Sequence, residues 1–227
     1  MFHCKLFITL ALSSLSFPVF SGTLNYRHEY IDNGVSKDRI SVSNTFKNGI
    51  AVSLEAKFRS DGKNSQPFSD LLGNGHEEQI SWQKKISPSL SFTPAFSIES
   101  NEEKSIYKPK IQFKYTFENL SYVAAAYRIE FHKNPSSSSK PDDEVNKYDL
   151  FIGYPFGNFK TEFNYTYAKS TKNQIRNNNK VYSAEYNQKI SYSLNKFWSP
   201  FIEIGNIGIK KNNDRLTRMR IGFAYNF

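Results

Sequence analysis

Cysteine occurs once in this 227-residue chain, at Cys4, and no long apolar run follows residue 22. Met1 to Ser21 reads as a secretory signal peptide, with a basic start at Lys5, an apolar stretch from Leu6 to Phe20, and Val19 and Ser21 suitably placed before the cut. Ser13, Ser14, Ser16 and Pro18 interrupt that stretch, which falls short of the roughly 20 residues a spanning helix needs. Cys4 leaves with the leader, so the mature chain is expected to form no internal disulfide and to offer no thiol nucleophile or thiolate ligand. A lipoprotein anchor is excluded as well, because its cysteine stands at the cleavage point and Cys4 lies ahead of the apolar stretch. Histidine is scarce: the mature chain has His28, His76 and His132. They stand at no metal-binding spacing such as H-E-x-x-H, although Glu77 and Glu78 follow His76. Neither a metal nor a cofactor is expected.

Against those absences stand the rings. Aromatic residues make up 16% of a chain whose hydrophobic total is only 38%. A soluble domain of that polarity has little use for so many, whereas a transmembrane β-barrel sets them in girdles at the two membrane interfaces. The chain is basic, its formal net charge of +9 falling to +8 when Lys5 is removed, which favours anionic partners. From Thr23 onward, segments of about ten residues alternate apolar and polar side chains, the period-2 signature of strands with two unlike faces. They lie at about 23–32, 38–46, 50–60, 76–86, 90–100, 106–117, 120–132, 144–154, 159–170, 180–192, 197–208 and 215–227. Each comes close to the ~9–11 residues a tilted strand needs to cross the hydrocarbon. The expected fold is all-β: a single domain over 22–227, built as an antiparallel transmembrane barrel of about 12 strands in the bacterial outer membrane. Lys47-Asn48-Gly49, Ser87-Pro88-Ser89, Glu118-Asn119, Pro155 to Asn158 and Ser193 to Lys196 read as tight turns. The connections between them are expected to be longer, as at Ser60 to Gly75, Lys133 to Asp143 and Ser170 to Asn179. Short turns on one side and long loops on the other put both termini in the periplasm.

Turning the apolar register of each strand to lipid sends the other register into the lumen, since a one-residue slip would put charge into hydrocarbon. Ile40, Val42, Val52, Leu54 and Phe58 then face out, and Arg39, Glu55, Lys57 and Arg59 face in. Tyr107, Ile111, Phe113, Tyr115 and Phe117 turn out, which sends Lys108, Lys110, Gln112 and Lys114 inward. Arg128 and Glu130, Arg218 and Arg220, and Arg27 and Glu29 follow the same rule. Inward acids at Glu99, Asp149, Glu162, Glu185 and Glu203 make the lumen mixed, so the cations either form tracks that act on a solute or pair across strands. An anion in a narrow tube loses hydration that guanidinium and ammonium groups replace. Several weak sites serve conduction better than one tight one.

With these residues in view the chain resembles the oligogalacturonate-specific porin family, which also includes channels for N-acetylneuraminate. The resemblance covers nearly all of the mature chain. It rests on Asp38-Arg39-Ile40 after Tyr26-Arg27-His28-Glu29, on Phe46-Lys47-Asn48-Gly49, and on Gln66-Pro67-Phe68 before Asn74-Gly75. Tyr107-Lys108-Pro109, Tyr127-Arg128, Pro200 to Asn206 and Thr217 to Gly222 continue it in the same order. It implies a narrow, monomeric, twelve-stranded channel for acidic oligosaccharides, with facing basic tracks. Arg27, Arg39, Lys108, Arg128, Arg218 and Arg220 carry over by match, while Lys stands at 108, 110 and 114 where a family lumen is expected to be richer in Arg. The terminal Phe227 resembles the ending that the barrel-assembly machinery reads. The expected solute-binding set is Arg27, Arg39, Arg59, Lys108, Lys110, Lys114, Arg128, Arg218 and Arg220.

An outer-membrane phospholipase is also a twelve-stranded barrel, but a Ser–His pair within reach is not evident here. Ser43 and Ser53 fall on the register opposite to His28, which is expected to pack at the lipid interface. His76 and His132 read as loop-edge residues. No catalytic residue is assigned. Nucleic acid is excluded as a partner, because rings and charges occupy opposite strand faces and the rings cannot stack on bases held by the charges. An adhesin would carry more sequence in its loops. Transport is expected to be passive, with no plug domain before the first strand and no nucleotide motif.

Overall fold

The computed structural model describes residues 22–60, 71–208 and 214–227. Met1 to Ser21, the expected signal peptide, therefore lies outside the described residues, as does Gln66-Pro67-Phe68. The strands are β1 (Gly22–Ile31), β2 (Val35–Thr45), β3 (Ile50–Ser60), β4 (Leu71–Trp82), β5 (Lys84–Lys85), β6 (Leu90–Ser100), β7 (Ser105–Thr116), β8 (Tyr122–Lys133), β9 (Asp143–Phe156), β10 (Phe159–Ser170), β11 (Tyr182–Tyr192), β12 (Trp198–Gly208) and β13 (Arg215–Asn226). Since β5 carries on from β4 past Gln83 and pairs with the same neighbour β6, the barrel has twelve staves.

Every stave pairs antiparallel with the next, and β1 pairs with β13 from Thr23↔Asn226 to Ile31↔Arg218. Reciprocal bonds between Gly22 and Phe227, at 2.9 and 3.0 Å, finish that seam. Closure follows from the solvent, because a sheet edge facing hydrocarbon leaves N–H and C=O groups unpaired at several kcal/mol each. No described helix is long and apolar enough to cross a membrane.

The outer face is apolar in mid-stave: Leu54 is 64% exposed and Ile152 57%, far from the burial such side chains reach in a water-soluble core. Rings flank this band. Near the short turns, Tyr154, Phe156, Phe159 and Tyr192 follow one another at centroid separations of 6.4, 5.4 and 4.8 Å. Toward the other end run Tyr127, Tyr148, Tyr167 and Tyr182, at 5.2, 6.3 and 5.9 Å. Leu150 and Ile152 occupy the outward positions of β9 between the two belts.

Lys47-Asn48-Gly49 makes the turn expected of it. Gly49 has φ +85°, its N–H donates to the Phe46 carbonyl at 2.9 Å, and an added Cβ would meet the Gln83 carbonyl oxygen at 2.3 Å. Three expectations are corrected. β4 begins at Leu71, so the end of the expected Ser60–Gly75 loop is strand, entered through a register shift between Ala56 and Phe58. The connections opposite the tight turns are not uniformly long: 32–34 and 101–104 are short too, closed by Gly34 N–H to Ile31 O at 2.9 Å and Asn101 N–H to Lys104 O at 3.1 Å. His76 belongs to β4, five residues past its start and paired with Ser100, and is not a loop-edge residue, whereas His132, next to last in β8 and paired with Asp143 at the start of β9, is one as expected.

Candidate functional site: the charged waist of the barrel

Halfway along the barrel the inward register encloses a cavity of about 480 Å³ lined by nine cations and five carboxylates. Arg27, Arg39, Lys108, Lys110, Arg128, Arg218 and Arg220 of the expected set meet there, joined by Lys57 and Lys147. Arg59 does not: it lies exposed at the rim, beside Leu72, Gly73 and Glu103. Lys114 sits lower, with its ammonium 4.0 Å from the centre of the Tyr122 ring.

Strand register accounts for how the charges meet. Glu55, Glu77 and Glu99 stand side by side on β3, β4 and β6, an arrangement that like-charge repulsion disfavours unless cations intervene. Lys57 reaches Glu77 at 2.7 Å and Glu99 at 3.0 Å, while Lys108 reaches Glu77 at 3.2 Å and also bonds Glu99. Arg39 closes the row on Glu55 at 2.9 Å. A second cluster gathers around β13: Arg220 donates to Glu29 at 2.7 Å and Glu203 at 2.5 Å, and Arg218 donates to Asn187 at 2.5 Å and lies 3.6 Å from Glu185. In the third, Arg128 and Lys147 share Glu130 at 3.2 and 3.1 Å. Much of what reads in sequence as cationic track is thus ion-paired wall.

Two waist cations differ. Arg27 faces Arg39 across the β1–β2 register and has Arg220, Glu55 and Glu29 as further charged neighbours, but is in no ion pair, and its buried Nε, like those of Arg128 and Arg218, has no hydrogen-bond partner among the described residues. Lys110 faces Arg128 across β7–β8, with Asp149 nearby but in no ion pair. Counting Glu29 and Glu203, which contact Arg220, and Glu55, which contacts Arg39, carboxylates nearly balance cations at the waist. Among the described residues, Arg27 and Lys110 are the two waist cations that stand in no ion pair.

A family model described as oligogalacturonate-specific porin protein (KdgM) matches residues 15–227. The chain belongs to the oligogalacturonate-specific porin family. Over 231 residues it is 32% identical to the oligogalacturonate-specific porin KdgM of Dickeya dadantii, covering 97% of this chain and 98% of that one. It is 34% identical over 207 residues to a protein of Salmonella typhimurium called uncharacterized protein YiiY, covering 90% and 89%. The solved KdgM porin superposes with TM-score 0.68 at 26% identity, over 90% of this chain and 99% of that one. The NanC porin, at 16% identity and TM-score 0.76 over 90% and 100%, shares the fold. The family and these neighbours are porins, not enzymes.

Porin membership leaves the histidines without a catalytic part, and their surroundings agree. His28 lies on the outward register but is 5% exposed: its Nδ1 is 3.0 Å from Oδ1 of Asp38, itself 0% exposed and accepting from the Tyr26 hydroxyl at 2.6 Å. The expected interfacial packing is replaced by a buried polar cluster, because a carboxylate taken from water needs donors. His132 is held by Glu130 at 3.2 Å and Lys104 at 3.3 Å, and His76 lies 3.4 Å from Glu78. Among the described residues no group of three or more His, Cys, Asp or Glu is placed to hold a metal. The expected set omitted Lys57, although the alternation turns it inward, and also Lys147, Lys160 and Lys189. Lys160 lies two residues before Glu162 and Lys189 four after Glu185, on registers whose acids were recognised as inward, so the alternation contained the signal.

Proposed function

We infer that the chain is a monomeric outer-membrane channel through which acidic oligosaccharides diffuse passively, oligogalacturonate-like uronates foremost. Arg27 and Lys110 carry this reading: in a waist where most cations are paired, they are free to replace hydration lost by a passing carboxylate. A KdgM porin, 26% identical and with TM-score 0.68, has been solved in complex with disordered oligogalacturonate, covering 90% of this chain and 99% of that one. Arg39, Lys108, Arg128, Arg218 and Arg220 then act chiefly by shaping the bore, and Arg59 meets solute at the outer rim. Residues 1–21 serve as the signal peptide, the apolar belt takes outer-membrane lipid, and Phe227 is the ending that the barrel-assembly machinery engages.

Planar-bilayer recording tests the reading. Discrete conductance steps are expected, with a reversal potential on the anion side and block by trigalacturonate but not by a neutral trisaccharide. Arg27→Gln with Lys110→Gln should move the reversal potential toward cations; an unchanged potential removes these two residues from the role. Absence of any steps removes the channel itself.

A further inference from the structure

Below the waist, toward the short turns, the inward register holds two aromatic rings, each lying over a glycine. Tyr122 pairs with Gly153 across β8–β9, where a Cβ on that glycine would stand 2.1 Å from the ring. Phe201 pairs with Gly222 across β12–β13, where a Cβ would stand 2.7 Å from the ring. Each glycine is a notch that lets its ring lie along the wall, and both rings are buried, Tyr122 at 6% and Phe201 at 7% exposure.

Three lysines rest on these rings. Lys114 and Lys160 lie over Tyr122, at 4.0 and 5.1 Å from its centre, and Lys189 lies over Phe201 at 4.0 Å. None of the three is in an ion pair among the described residues. Lys160 is a charged neighbour of both Lys114 and Lys189, so the three ammoniums form one group. Two carboxylates border it, and each is engaged elsewhere: Glu162 accepts from the Tyr122 hydroxyl, and Glu203, which faces Lys189 across β11–β12, accepts from Arg220. A ring face steadies an ammonium without neutralising it, whereas a carboxylate partner does neutralise it. The waist lysines Lys57 and Lys108 are held the second way, and these three the first. Across the bore, about half the ring of staves away, β1, β2 and β3 present Asn25, Ser41, Ser43 and Ser53 to a cavity of about 550 Å³.

We propose that Lys114, Lys160 and Lys189, seated on Tyr122 and Phe201, form a second anion-binding station in the periplasmic half of the bore, taking the carboxylate of an acidic sugar whose hydroxyls face the Ser and Asn side chains opposite. The proposal rests on the acidic-sugar reading above. It adds the step after the waist: a uronate leaving Arg27 and Lys110 is received by ammoniums that stand in no ion pair, so its charge is never stranded between binding and release.

Block of single-channel current by trigalacturonate, added from the side of the short turns, tests it. Lys114→Gln/Lys160→Gln/Lys189→Gln should raise the half-blocking concentration about tenfold, the loss expected for one or two charge-assisted contacts. The corresponding triple Arg variant should stay close to wild type. Tyr122→Leu keeps every charge but removes the seat of two lysines, and should weaken block severalfold. Lys160→Gln alone, at an exposed position, gives the same direction with a smaller change should the triple variant fail to insert. Equal block of wild type and the Gln variants overturns the station and leaves the channel reading intact. A wild type blocked no better by trigalacturonate than by maltotriose overturns the acidic-sugar reading instead.

Discussion

Asp142 ties the base of the 134–142 loop with two oxygens: Oδ2 accepts from Lys133 at 2.7 Å and Oδ1 from the Asn134 N–H at 2.9 Å, while the Asn134 side chain donates to the Pro141 carbonyl at 2.7 Å. The Lys133 ammonium, then the Asn134 amide, hold the Asp142 carboxyl below the usual carboxylate range. A depressed acid favours the ordered loop above its ordinary pKa, and that contribution is lost as pH falls through the lowered value. Amide exchange at Asn134 should therefore be unchanged from neutral pH down to the carboxylate range and accelerate only below it, once intrinsic exchange is corrected for. Asp142→Asn should show the faster exchange at every pH. Residues like this are poorly legible in sequence: Asp142 and Asp143 look alike, and only the turn taken by the chain gives the first to Lys133 and the second to Ser170, at 2.5 Å.

At the scale of the strand, the alternation of oily and charged side chains was enough to place all twelve staves and to send Arg27, Lys108, Lys110, Arg218 and Arg220 inward, because period 2 admits one orientation only when one side is hydrocarbon. What it left open was the partner of each charge. Whether Lys108 finds Glu99 or open bore depends on the register between β6 and β7, which pairs Ser97 with Lys108 and sets Glu99 one step along the diagonal. The start of β4 escaped for a related reason: Leu71-Leu72-Gly73-Asn74-Gly75 does not alternate, and it enters the sheet through an irregular register. The difference between neighbours on one strand gives a test. Lys108→Met strips a buried cation from Glu77 and Glu99, whose side chains are 21% and 23% exposed, and should cost about 1–3 kcal/mol, less than a fully buried pair because the bore is wet. Lys110→Met removes a lysine with no ion partner and should cost much less, while shifting ion selectivity further. Urea unfolding in lipid vesicles, read beside reversal potentials, checks both; equal stability losses would mean that the carboxylate row does not depend on Lys108.

For the molecule as a whole, closure and charge answer to different solvents. Pairing β1 with β13 is dictated by lipid and is indifferent to salt, since the bonds it satisfies are between neutral backbone groups. The field inside the bore is set in water, and near balance of cation and carboxylate at the waist leaves, among the described residues, a few inward cations outside any ion pair: Arg27 and Lys110 there, and Lys114, Lys160 and Lys189 below. A net charge of +9 over the chain is consequently a poor guide to selectivity. Fields from so few groups are shortened by added ions, over a Debye length that falls from about 10 Å at 0.1 M to about 3 Å at 1 M. The reversal potential under a fixed tenfold gradient should therefore be clearly anionic when the more concentrated side is 0.1 M and shrink toward zero when it is 1 M, while the folded barrel keeps its electrophoretic mobility throughout. A selectivity that survived molar salt would point to a constriction narrower than the screening length, with pore size rather than the unpaired cations as its source.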